Sequence, residues 1–139
     1  MGGVAFTIRP EHKGLYHLSA FLVSPTLVTL MAEAAGLLTR AKVPGNISRP
    51  MLRRFVAETA KNFSDLGARR ALTGPAVRGD WATIRRHLDA LRKTDPAFVP
   101  VYQSLLKAML KLAGVQNMAL ANGKSKSKGK LQKSKVKSQ

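Results

Sequence analysis

From Leu15 to Ala32 the chain reads LYHLSAFLVSPTLVTLMA, a run without a single Lys, Arg, Asp or Glu. A segment of that length and polarity has two fates: it crosses a bilayer, or it lies inside protein under the apolar faces of other elements. The composition favours the second. His17, Ser19, Ser24, Pro25, Thr26 and Thr29 dilute its hydropathy, and later segments carry apolar stripes that need a central partner to cover. We therefore expect a long, buried first helix from about Gly14 to Arg40, kinked near Pro25, where an amide donor is lost and the ring clashes with the preceding turn. The opening MGGVAFTIRPEHKG has no basic region followed by an apolar one, so no signal peptide is expected. No membrane contact and a cytoplasmic location are expected, with a membrane-anchored helical protein as an alternative.

The periodicity of the rest is also helical. Ser48 is a suitable N-cap with Pro50 in the first turn, followed by Leu52, Phe55, Val56, Thr59 and Phe63 on one face. GARRAL is a short helical piece. After a break, Asp80 is placed to cap a helix whose Trp81, Ile84, Leu88 and Leu91 recur at spacings of 3, 4 and 3. Asp95 and Pro96 repeat that pattern before Phe98, Val101, Tyr102, Leu105, Met109 and Leu112, and Gly114 is a plausible C-cap. Only VAFTI, Val4 to Ile8, has strand character, and one strand makes no sheet. The fold class expected is all-α, a bundle of four to five helices.

Charge adds a polyanion question. The formal charge is +17, and the last 23 residues hold seven Lys and no acid, which leaves +10 on the body of the chain. The tail from Asn117 to Gln139 has no periodic apolar face and is expected to be disordered. It could make weak, nonspecific contact with nucleic acid, but without Arg or an aromatic residue it offers no sequence readout. There is no Cys, which excludes disulfides, thiolate catalysis and Cys-ligated zinc. Three scattered His with no carboxylate at ligand spacing give no metal site.

The break itself, ALTGPAVRGD from residue 71 to 80, is the most distinctive stretch. Gly74 and Pro75 stop one helix, Gly79 lets the backbone turn tightly, and Asp80 caps the next, whose free N–H groups make an anion-friendly end beside Arg78. A capping Asp80 is a poor adhesion signal, so Arg78-Gly79-Asp80 is not read as one.

Taken in order, YHLSA, NFSDLGARRALTGPAVRGDWATIRRHLDAL and DPAFVPVYQSLLKAMLKLA resemble the C-terminal helical domain of unknown function found in Rossmann-like NAD(P)-dependent oxidoreductase-like proteins. The resemblance covers roughly residues 4 to 115, and its most specific part runs from Leu72 to Leu88, backed by Tyr16 and His17. It implies an all-α domain similar to the C-terminal domains of 6-phosphogluconate dehydrogenase-like enzymes, which commonly dimerise. NAD(P) would then bind a preceding Rossmann domain. No Gly-x-Gly-x-x-Gly turn occurs in this sequence, so no cofactor site is expected in this chain, and residues 1–13 read as the last strand and linker of a missing or separately encoded Rossmann half. Residues 14–116 would be the dimerisation and substrate-cleft domain, and 117–139 the basic tail.

The same resemblance implies that polar residues of the first helix face the nicotinamide side of an interdomain cleft. His17 is then the catalytic candidate, able to shuttle a proton, with Ser24 two turns later. The family often has Asn after that Ser, where this chain has Pro25. Thr73, Gly74, Pro75, Arg78 and Asp80 complete the substrate-cleft candidates, since the turn also resembles, more distantly, the Ser-Pro-Gly-Gly-Thr turn of pyrroline-carboxylate reductases. His87, at the edge of an apolar stripe, and His12 are expected to be structural. A homodimer with residues 15 to 38 at its interface, inactive without the other half, is the leading functional expectation. A small basic nucleic-acid-binding protein acting through its Lys tail is the alternative.

Overall fold

A computed structural model describes residues 3–115, and every regular element among them is helical. These are α1 (Lys13–Val23), α2 (Pro25–Arg40), α3 (Gly45–Leu66), α4 (Ala68–Ala71), α5 (Pro75–Arg78), α6 (Trp81–Thr94) and α7 (Val99–Ala113), with 3-10 turns at Pro10–His12 and Pro96–Phe98. The all-α expectation holds. Val4 to Ile8 forms no strand, because a strand exists only by exchanging hydrogen bonds with another and the described residues supply none. Phe6 instead meets the ring of Tyr16 on α1 edge-on, with centroids 6.1 Å apart. The Lys-rich tail expected to be disordered lies outside the described residues. Internal contacts divide the chain into two units, Met1–Lys61 and Asn62–Gln139, with the boundary inside α3.

In the first unit α1 and α2 form the long kinked helix that Pro25 predicts. Pro25 has no N–H to give the carbonyl of Phe21, and the hydroxyl of Thr26 donates to that carbonyl instead, at 3.0 Å. The ladder continues across the kink, with Ser24 N donating to Ala20 O at 2.9 Å and Val28 N to Ser24 O at 3.2 Å. The hydroxyls of Ser19, Thr29 and Thr39 likewise turn back onto the carbonyls of Tyr16, Pro25 and Ala35. Four hydroxyls that look polar in the sequence are thus spent on their own helix.

The expected burial of this helix is not met within the first unit. No residue of α1 or α2 is buried, and Phe21 and Leu22 are each 58% exposed. The stripes expected to cover it are otherwise disposed: Phe55 and Phe63 on α3 stay exposed themselves, and the stripes of α6 and α7 bury each other. The start of α3 also differs from expectation. Its first turn opens at Gly45, with Pro44 O accepting from Ile47 N and Ser48 N, so Ser48 is a buried residue of that turn rather than its cap and Pro50 lies inside the helix.

The second unit has its own core. Ala76 from α5, Ile84 and Leu88 from α6, and Leu106 and Leu110 from α7 are buried together, with Trp81, Val99, Tyr102 and Val115 packed against them. The α6 stripe is as the spacing predicts, with Ile84, Leu88 and Leu91 all buried. The α7 stripe is rotated from the expected one: Leu106 and Leu110 are inside, while Val101, Met109 and Leu112 are exposed. A helix that is apolar on most of its circumference offers several stripes, and the position of α5 across it selects one. Gly114 closes α7 as expected, with Val115 N donating to Leu110 O at 3.0 Å. Asp95 is the N-cap of the Pro96 turn with Pro96 in its first turn, as expected, and the bond of this cap is made by its carbonyl, which accepts from Phe98 N.

Candidate functional site

The turn between α4 and α5 is made by glycine. Gly74 has φ 104° and ψ −175°, a conformation essentially closed to residues with a Cβ, and it reverses the chain so that Thr73 and Pro75 flank a recess. Pro75 begins α5, whose single turn ends at Gly79 in the left-handed region, where Asp80 N donates back to Pro75 O at 2.9 Å. Asp80 then caps α6 as its position predicts. Its carboxylate accepts from Thr83 N at 3.0 Å and from the Thr83 hydroxyl at 2.7 Å, and Arg86 donates to that hydroxyl at 2.7 Å. These two bonds from Thr83, aided by the charges of Arg86 and Arg78, hold the Asp80 carboxyl below its ordinary range.

The recess is a pocket of about 240 Å³, closed on one side by Thr73, Pro75 and Ala76 and on the other by Leu105, Leu106 and Met109 of α7. His87 of α6 and Tyr102 of α7 supply its aromatic edge. His87 Nδ1 lies 3.0 Å from the Tyr102 hydroxyl, with the rings edge-to-face at 86° and centroids 5.9 Å apart. Burial pushes the Tyr102 hydroxyl above its ordinary range, so it stays a neutral phenol at physiological pH. A phenol and an imidazole joined this way are adaptable. If the phenol donates to Nδ1, its oxygen is left to accept; if Nδ1–H donates to the oxygen, the phenol proton is left to give. The remaining wall is almost wholly hydrocarbon.

Of the sequence-predicted residues, Thr73 and Pro75 line this pocket, Gly74 shapes it, and Asp80 is engaged as a cap. Arg78 is exposed on the last turn of α5. His17 and Ser24 belong to the first unit, both exposed, His17 on α1 with its ring edge-on to Tyr16 and Ser24 at the kink. His87, expected to be structural, and Tyr102, expected as part of the last helix's apolar stripe, meet at the edge of this pocket. One signal was present: a Tyr within an apolar stripe brings a hydroxyl that needs a partner wherever it is buried, and a His stands at the edge of the preceding stripe. Their pairing depends on the rotation of α7.

Fold and pocket together define a chain whose described regular elements are all helical, with a small apolar recess edged by a His–Tyr pair. It belongs to the family described as Domain of unknown function (DUF2520), whose model matches residues 1–109. That span takes in the first unit, part of the second, and every residue lining the pocket, from Thr73 to Met109. No curated protein and no solved structure matches the chain.

Proposed function

We propose that this chain is the helical dimerisation and substrate-cleft half of a cytoplasmic NAD(P)-dependent oxidoreductase-like protein, with its cofactor-binding Rossmann half supplied by other sequence. The observation that carries the reading is the bare long helix. Leu15, Leu18, Phe21, Leu22 and Val28 are each at least half exposed on α1 and α2, and the neighbouring hydroxyls are bonded to their own backbone. Monomeric soluble proteins seldom leave so continuous an apolar surface in water. A second copy of the same helix is a self-complementary cover for it, and the resemblance to dimerising helical domains points the same way. The pocket beside Thr73 and Pro75 is the substrate-cleft element of this reading. Cofactor binding is assigned elsewhere because the chain has no Gly-rich phosphate turn, and at the start of α6 the Thr83 amide is already taken by Asp80.

Light scattering on the full chain should give twice its mass of 15.1 kDa, and Phe21→Glu with Leu22→Glu should return it to a monomer. A monodisperse wild-type monomer at tens of micromolar would refute the assembly. Calorimetry with NADPH tests the division of labour: a micromolar dissociation constant for the chain alone would overturn it.

A second reading has one specific observation in its favour. Residues Pro10–Arg40 form 31 helical residues with a window of mean hydropathy 1.7, none of it buried, and the helix is long and apolar enough to cross a membrane. On this reading the helix is an anchor. Flotation with phosphatidylcholine vesicles separates the two, since a dimeric interface stays in the soluble fraction and an anchor floats. The nucleic-acid reading rests on residues 117–139, outside the described part.

A further inference from the structure

We infer that the pocket between α5, α6 and α7 binds a small uncharged molecule of ring size that carries one carbonyl or hydroxyl oxygen, held by the Tyr102 hydroxyl with His87 behind it. The inference rests on the substrate-cleft reading only for what the ligand is used for, not for whether it binds.

Size comes first. A volume of about 240 Å³ corresponds to roughly eight water-sized groups at ~30 Å³ each, which fits a six- or seven-membered ring with a short substituent and excludes a nucleotide. Polarity comes next. The walls are Pro75, Leu105 and Met109 with their neighbours, and no Lys, Arg, Asp or Glu is among the lining residues. A charged ligand would lose its hydration there without a counter-charge, which disfavours carboxylates, phosphates and amines. Hydrogen bonding fixes the rest. The polar groups of the lining are the hydroxyls of Thr73 and Tyr102 and the imidazole of His87. Tyr102 and His87 are already joined at 3.0 Å, so the pair presents one outward-facing group in either of two senses. With Nδ1–H given to the phenol oxygen, the phenol proton is free for a ligand carbonyl. With the phenol proton given to Nδ1, the oxygen is free to accept from a ligand hydroxyl. A matched carbonyl and alcohol are the two molecules such a pair accommodates equally.

The test uses cyclohexanone as the probe and methylenecyclohexane, nearly the same shape without the oxygen, as its comparator. Cyclohexanone is titrated to on the order of tens of millimolar, as weak binding by so few atoms requires, and methylenecyclohexane up to its much lower limit of solubility in water, into the full ¹⁵N-labelled chain. Cyclohexanone should shift the amides of Thr73, Ala76, Tyr102, Leu106 and Met109 with a single dissociation constant. Cyclohexanecarboxylate should bind less well than the ketone. Tyr102→Phe keeps the ring and should weaken cyclohexanone by roughly two- to tenfold, the range for one net hydrogen bond, while leaving methylenecyclohexane unchanged; the dispersion of the spectrum checks that the variant is folded. Met109→Trp, which fills the pocket from its partly exposed side, should abolish binding of both. Failure of cyclohexanone to shift those amides, equal losses for both probes in Tyr102→Phe, or tighter binding of the carboxylate would each overturn the inference. A monomeric chain that binds the ketone would sink the dimer and keep the pocket; a dimer that ignores the ketone would do the reverse.

Discussion

Replacing Gly74 by Ala isolates what the backbone turn contributes, because a Cβ at that position would meet no atom within 4 Å. Packing therefore adds nothing to the change, and the whole effect is conformational. At φ 104° and ψ −175° a residue with a Cβ is strained by about 1–3 kcal/mol. The loss of glycine's freedom in the unfolded chain offsets about 0.4–1 kcal/mol of that, leaving a net destabilisation of about 1–2 kcal/mol. Gly79 provides the internal comparison. Its φ of 64° and ψ of 26° lie in the left-handed helical well, and its added Cβ meets only Trp81 Nε1, at an ordinary 3.9 Å. Strain there is about 1–2 kcal/mol, and the same offset brings Gly79→Ala to about 0.5–1 kcal/mol. The chain's single Trp, Trp81, packs against the core of the second unit, so its emission during urea unfolding reports on the affected unit. In a domain this small each kcal/mol moves the melting midpoint by roughly 4–8 °C, which makes the ordering measurable. Gly74→Ala at or above the wild-type midpoint, or less destabilising than Gly79→Ala, would refute the assignment of this turn to backbone strain.

Other consequences follow from the same structure. Leu110 has no exposed surface, so Leu110→Ala should destabilise the second unit by about 2–5 kcal/mol in urea titrations; a loss below 1 kcal/mol would mean that the core is assembled differently. The Asp80 carboxyl is held below its ordinary range by the two Thr83 bonds, so its contribution is present above the ordinary carboxylate pKa and lost as pH falls through the depressed folded value. The stability gap between wild type and Asp80→Ala should accordingly narrow between pH 6 and pH 3, and a gap independent of pH would count against the cap as an ionic one. Deleting residues 117–139 removes seven Lys and few large apolar side chains, so the melting temperature should hold while any polyanion binding disappears; retained binding would move the basic surface to the body of the chain.

Local chemistry determined much of this protein directly from its sequence. Helix periodicity, the kink at Pro25, the Asp80 cap and the Gly114 stop depend on residues within a turn or two of one another, where dihedral preference and hydrogen-bond reach decide the outcome. The Thr73-Gly74-Pro75 turn belongs with them, and so the near side of the pocket was legible. Three things were not. Which stripe of α7 faces inward was open, since a helix apolar on most sides has no single preferred face until α5 lies against it, and the choice fell on Leu106 and Leu110 rather than Leu105 and Met109. That rotation brings the Tyr102 hydroxyl to His87 Nδ1, so the pairing of these two residues, as distinct from their presence, was not legible for the same reason. The long first helix was read as buried because hydropathy measures how strongly a segment avoids water. It cannot say where the cover comes from, and within the first unit the tertiary structure buries no residue of that helix.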